Sequence, residues 1–277
     1  MPTTQGGASC AHIVGRFGTL DQMRLTDRLA DQGRRLFLFR AIVPLATLPL
    51  AMLALPQSRA MESWLGATGN LIYQWAAISV GLLGLALRCA AVAYAPDGSS
   101  SRDTQQIRAT ALNTTGIYSI VRHPLYCGAG LLWVGAALTL RVWWFAALVA
   151  LLYIVYIERI VAAEEAYLSA TFDEFDRWSS RTPAFVPKPS LWRPAGGTLQ
   201  WRRLLSEHNA LLALAASVAL LEFLEDALDG VVTWAEWRAI HPDLVWLVAC
   251  AAAISIVAIT LRRWGLEASS EVQGSEC

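Results

Sequence analysis

Two short clusters carry the side chains of this chain best suited to chemistry. The first reads Gly116-Ile117-Tyr118, followed closely by Arg122-His123-Pro124-Leu125-Tyr126. The second runs Glu158-Arg159-Ile160-Val161-Ala162-Ala163-Glu164-Glu165-Ala166-Tyr167-Leu168, with the pattern of a helix. A carboxylate pair can hold an ammonium, a histidine with a neighbouring guanidinium can meet a carboxylate, and tyrosine rings can wall a cationic ligand. Each cluster alone has a plainer reading. Proline suits the first turn of a helix, Arg, His and Tyr suit a membrane interface, and adjacent glutamates commonly form a solvated face. What separates a site from these readings is whether the chain brings the two clusters together.

The elements between them belong to a membrane protein. Of 277 residues 55% are hydrophobic and 16% charged, and the mean hydropathy is +0.42, which excludes an ordinary soluble domain. A bilayer core needs roughly 17–25 apolar residues per helix. Leu36–Leu55 and Leu71–Tyr94 meet that need as first and second spans, with Pro44 and Pro49 expected to kink the first. Arg88, near the end of the second, is placed to snorkel or to face a polar cavity. From Leu125 to Ile157 only Arg141 interrupts the apolar run. One helix of that length would be about 50 Å long, so the run is expected to be a helical hairpin with Arg141, Trp143 and Trp144 at the far interface. Ala210–Leu221 is short for a span and Leu244–Leu261 is ample. Keeping both puts most basic residues, including Arg262 and Arg263, on one side, as the positive-inside rule requires.

The expected architecture is therefore an all-α polytopic membrane protein of about six transmembrane helices, with both termini cytoplasmic, in what we expect to be a bacterial inner membrane. Its parts are a cytoplasmic segment (1–35) without a secretory leader, two N-terminal spans (36–94), a core containing the hairpin (95–203), and two C-terminal spans with a short tail (204–277). In this arrangement the hairpin returns Glu164 and Glu165 to the side where His123 begins. The helix from Val142 to Glu164, about 33 Å long, lifts the carboxylates just past the interface.

At this point the chain resembles a family. Gly116-x-Tyr118, Arg122-His123-Pro124-x-Tyr126, a hydrophobic hairpin, Glu164-Glu165-x-x-Leu168 and Arg181-Thr182-Pro183 are similar in order and spacing to the core of the isoprenylcysteine carboxyl methyltransferase and phospholipid methyltransferase superfamily. The resemblance covers roughly residues 110–187. It implies S-adenosylmethionine as methyl donor, bound in a site completed by a cytoplasmic C-terminal helix and without a Gly-x-Gly-x-x-Gly loop. The acceptor it implies is a lipid or lipid-linked carboxylate, amine or phosphate entering from the bilayer. By the same resemblance, Glu164 takes the donor's ammonium, Glu165 belongs to the same cofactor site, and His123, with Arg122 nearby, meets the donor's carboxylate. Tyr118 and Tyr126 line the pocket, and Thr110, Leu112 and Asn113 lie against the adenosine. Arg159 and Arg181 are left to hold the acceptor's anionic group, although the family's substrate-binding arginine aligns nearer Ile160. Where the family has Phe-Gly-x-x-Tyr-x-x-Tyr, this chain reads Phe172-Asp173-Glu174-Phe175-Asp176-Arg177-Trp178, in which Trp178 can pack or form a lid.

Two other readings stay open on sequence: an NADPH-dependent membrane reductase of the sterol-reductase type, which shares an Arg-His-Pro-x-Tyr element, and a non-catalytic membrane scaffold. The five cysteines lack metal-ligand spacing, so neither a disulfide framework nor a metal site is expected, and nothing suggests a nucleic-acid partner. His241-Pro242-Asp243 reads as a helix start, and the acidic stretch around Glu225–Asp243, with Asp226, Asp229 and Glu236, as a water-facing loop.

Overall fold

The computed structural model describes residues 25–39, 42–95, 109, 111–228, 230 and 233–274, with side chains from 27 to 264. Among these residues the regular secondary structure is helical, apart from one bridge between Gly116 and Arg193. Helix α1 spans Leu25–Leu38, and a 3-10 turn over Val43–Thr47 leads into α2, Leu48–Ala93. The core hairpin is α3, Pro124–Leu138, and α4, Trp143–Thr171. Short helices α5 (Phe175–Ser179) and α6 (Trp201–Leu204) precede α7, His208–Leu228; α8 (Trp234–Ile240) and α9 (Pro242–Gly274) complete the order. Among the described residues three stretches are long and apolar enough to cross a membrane: Val43–Ala93, Trp143–Thr171 and Pro242–Trp264.

The 46 residues of α2 do not form one rod, because Gly66 takes φ 66° and ψ 173°, a conformation open chiefly to glycine. The arms on either side, about 27 Å and 40 Å long, run in opposite directions along α7. Ser58 meets Glu225 near one end of α7, Gly81 lies against Leu214 in its middle, and Arg88 meets Glu207 just before its other end. The first of these helices starts later than the sequence suggests. Pro44 lies in the 3-10 turn and Pro49 in the first helical turn, where a missing N–H leaves no bond unmade, so the residue inside the helix is Pro56.

The second arm of α2 packs backbone to backbone against α3. A Cβ on Gly84 would stand 2.4 Å from the Gly128 carbonyl oxygen, so only glycine permits this approach. Small residues serve the same purpose where helices associate without a hydrophobic drive. On the other flank, Phe37 of α1 is buried with Tyr153, Ile157 and Ile160 of α4.

Arg141 lies between the two arms of the hairpin, as the sequence places it, but its side chain turns inward. It sits in the hairpin turn with φ 63°, its side chain only 1% exposed, and pairs with Glu222 at 3.4 Å and with Glu225. Ser58 donates to the same Glu225 at 2.6 Å. The α3–α4 turn thus points its charge inward because α7 presents two carboxylates there, whereas Trp143 is 78% exposed. Glu225 is accordingly part of a buried network and not of a water-facing loop. Glu236 caps α8 through Thr233, and His241 precedes the first turn of α9 with its ring 2.9 Å from Asp226. Asp229 lies outside the described residues.

Candidate active site

The hairpin brings the two clusters together. His123 directly precedes α3, where Pro124 occupies the first turn, and its carbonyl accepts the Tyr126 and Cys127 amides. The backbone N–H groups of Arg122 and His123 donate to the Pro183 and Ala184 carbonyls, tying this corner to the segment after α5. From α4, Glu165 places Oε1 2.8 Å from His123 Nε2 and 3.0 Å from Arg122 Nε. Arg122 also donates to the Ser179 carbonyl at 2.6 Å. Glu164 lies on the other side of the imidazole, 3.8 Å from Nδ1, and its buried Oε2 has no hydrogen-bond partner.

These residues border a cavity of about 420 Å³. Of the residues singled out from sequence, Leu112, Asn113, Tyr118, Arg122, His123, Tyr126 and Glu164 line it. Thr110 lies outside the described residues, although the neighbouring Ala109 amide donates to the Tyr167 hydroxyl at 3.4 Å. Glu165 stands behind the wall, where it fixes Arg122 and His123.

Arg159 does not reach the cavity. Helical phase explains this: Ile157, Ile160, Glu164 and Leu168 share the inward face of α4, and Arg159 projects toward α1, where Nε donates to Gln32 at 3.0 Å. Arg181 lines a different, neighbouring cleft, which shares only Trp178 with the cavity.

Several wall residues carry no motif signal. Phe37 comes from α1, Trp133, Tyr153 and Tyr156 from the hairpin, and Arg88 from α2. Arg88 is held by Glu207, with Nε–Oε2 at 2.6 Å, and donates to the Leu125 carbonyl at 3.3 Å. Of the two roles open to it on sequence, it takes the polar-cavity one. Tyr153 donates to the Tyr126 carbonyl at 2.5 Å. Removal from water pushes the Tyr118 phenol above its ordinary pKa, so it faces the cavity as a neutral donor. Trp178 closes one side, with a buried indole N–H that has no partner.

The composition of this cavity decides what can enter. Among its walls the Glu164 carboxylate oxygen and the Trp178 indole N–H lack a hydrogen-bond partner and stand among aromatic rings, a set that suits a ligand carrying a cation and an acceptor group at once. Residues 73–174, which hold both clusters and the hairpin between them, match the phospholipid methyltransferase family. That likeness covers the core of the chain and not the whole of it.

Two curated relatives extend the comparison. The chain is 34% identical over 137 residues to the nickel-cobalt-cadmium resistance protein NccN of Alcaligenes xylosoxydans xylosoxydans, a match covering 48% of this chain and 56% of that relative. It is 28% identical over 244 residues to the cobalt-zinc-cadmium resistance protein CzcN of Cupriavidus metallidurans, covering 84% of this chain and 100% of the relative. No solved structure matches the chain. The matched stretch ends before Trp178, Arg181 and the pair α7 and α9, so these belong to the chain outside the family match.

Proposed function

We propose that the chain is an integral membrane methyltransferase that transfers the methyl group of S-adenosylmethionine to a lipid or lipid-linked acceptor at the cytoplasmic face. The observation that carries this reading is the orphaned Oε2 of Glu164, buried in an aromatic cavity beside His123 and without a partner of its own. A buried carboxylate oxygen is costly to leave unmatched, and an ammonium matches it. A polyphosphate cofactor such as NADPH would bring further negative charge to that oxygen, which favours the methyl donor over the reductase reading.

The residues divide the work. Glu164 receives the ammonium, while His123 and Arg122, held in register by Glu165, face the donor's carboxylate. Tyr118, Tyr126, Trp133 and Trp178 supply aromatic walls for a sulfonium, and the segment through Leu112 and Asn113 lies against the adenosine. The bound donor supplies a methyl group already activated by positive sulfur. The chain's part is therefore to orient the acceptor in line and to exclude water. A carboxylate or phosphate acceptor needs no base, whereas an ammonium must first lose a proton.

A second cavity of about 340 Å³ supports a lipid acceptor. It lies between α2, α3, α4 and α7, is lined by apolar residues such as Leu132, Phe145, Leu214 and Leu221, and shares Arg88, Ala129 and Trp133 with the first. Room for a tail thus adjoins room for the donor. Six crossings with both termini cytoplasmic fit the helices: two arms of α2, then α3, α4, α7 and α9. His123 directly precedes α3, so in this reading it stands at the cytoplasmic end of that crossing, where a lipid arrives sideways. If the chain shares the metal-resistance role for which its two relatives are named, this chemistry would act through the membrane lipids.

The test is transfer of labelled methyl from S-adenosylmethionine into a total lipid extract by the purified protein. Label in the organic phase is expected; label appearing only in water-soluble product would contradict a lipid acceptor.

A further inference from the structure

Beside the donor cavity lies a polar cleft of about 460 Å³, whose three arginines follow the end of the family match. Three guanidinium-bearing residues line it: Arg177 from α5, Arg181 just after that helix, and Arg193 beyond the 3-10 turn Pro189–Leu191. Hydroxyls of Thr114, Thr182 and Ser190 stand among them, and Glu174 is the acidic residue of the lining. The lining therefore carries three positive charges against one negative. Among the described residues, no carboxylate lies within ion-pair distance of any of these three arginines. This differs from the treatment of Arg88, Arg122 and Arg141, each of which is matched by a glutamate.

The backbone keeps the three arginines together. Gly116 and Arg193 form a β-bridge, and the Arg193 amide donates to the Ser119 hydroxyl at 2.9 Å. Thr182 is 4% exposed and anchors the loop that carries Arg181. Three guanidiniums without a carboxylate partner, lining one cleft with hydroxyl-bearing residues, form a donor array suited to phosphate oxygens, which planar Arg forks recognise in paired geometry.

We propose that this cleft is a phosphate-binding site, distinct from the donor cavity and separated from it by Trp178. The phosphate can arrive on an anionic lipid headgroup, since the cleft follows directly on the membrane-exiting end of α4, or on a soluble phosphorylated molecule. The two sources make the same contacts and differ in whether a tail accompanies the phosphate.

The test uses the full chain purified in neutral detergent, with native mass spectrometry counting adducts of dihexanoyl phosphatidylglycerol, and a separate titration with inorganic phosphate against chloride at equal ionic strength. The wild type is expected to retain one saturable adduct. The variant R177Q/R181Q/R193Q should bind it at least tenfold more weakly, and the charge-matched control R238Q/R262Q/R263Q should bind like wild type. Saturation by the lipid alone assigns the site to headgroups, and saturation by inorganic phosphate at equal or lower concentration assigns it to a soluble ligand. No saturable adduct in either arm, equal binding by the cleft variant, or equal loss in the control would overturn the proposal. Binding of S-adenosylmethionine by the cleft variant, measured in parallel, reports separately on the methyltransferase reading.

Discussion

Glu165 Oε1 lies 2.8 Å from His123 Nε2 and 3.0 Å from Arg122 Nε, so one carboxylate behind the cavity wall sets two residues that face into it. Its neighbour Glu164 is turned to the cavity with an unmatched oxygen. Adjacent residues on a helix differ by about 100° in direction, and that rotation gives two identical side chains different tasks.

The first prediction follows from this division. Glu165→Gln keeps the shape and one acceptor but loses the charge that holds Arg122 and His123. Donor affinity is expected to fall about tenfold, in keeping with ~1.5–3 kcal/mol for a charged hydrogen bond. Isothermal titration checks it, alongside a melting temperature close to wild type. An unchanged dissociation constant would remove Glu165 from the site.

Arg159→Ala, by contrast, is expected to change donor affinity and methyl transfer by less than about twofold, the scale of a surface substitution. Arg159 faces Gln32 on α1 and not the cavity. A loss of tenfold or more in steady-state transfer would return it to the acceptor site.

The network at the hairpin turn predicts a large stability effect. Arg141→Asn retains a residue tolerant of positive φ while leaving Glu222 and Glu225 buried without their counter-charge. A cost of about 3–5 kcal/mol is expected. Adding Glu222→Gln and Glu225→Gln in the same chain should recover part of it, as read by thermal unfolding in detergent. Absence of any recovery would mean that the cost does not arise from buried charge.

The contact of α2 with α3 is equally specific. Gly84→Ala places a methyl 2.4 Å from the Gly128 carbonyl, which must force the two helices apart. Overpacking of this kind costs about 1–3 kcal/mol. A lowered melting temperature is the expected result, and an unchanged one would contradict the close packing.

The second cavity can be filled without touching the first. Ser217→Trp introduces an indole on the α7 wall. Transfer into lipid is expected to drop severalfold with donor affinity unchanged. Equal transfer by the two proteins would detach this cavity from the acceptor.

Much of this arrangement was legible in sequence because hydrophobic run length and motif order are local properties. The 33-residue apolar stretch broken at Arg141 required a hairpin, and a hairpin returns Glu164 to His123 whatever else the chain does. The fate of Arg141 was not legible. Its partners lie on α7, far along the chain, and a lone arginine beside two tryptophans has the same local signature at an interface as in a buried network. The misplacement of Arg159 is a matter of helical phase, which becomes readable once one knows that Ile157, Ile160 and Glu164 define the inward face. Arg88 and Glu207 find each other only through the fold, and Phe37, Trp133 and Tyr153 become wall residues by packing that no spacing encodes.

The central claim, that this cavity holds the methyl donor by its ammonium, rests most directly on equilibrium binding of S-adenosylmethionine to the detergent-purified chain. Saturable binding by wild type is expected, weakened about thirtyfold or more in Glu164→Gln, the loss of a ~2–3 kcal/mol charged contact. Failure of the wild type to bind, or equal binding by the variant, would contradict the account.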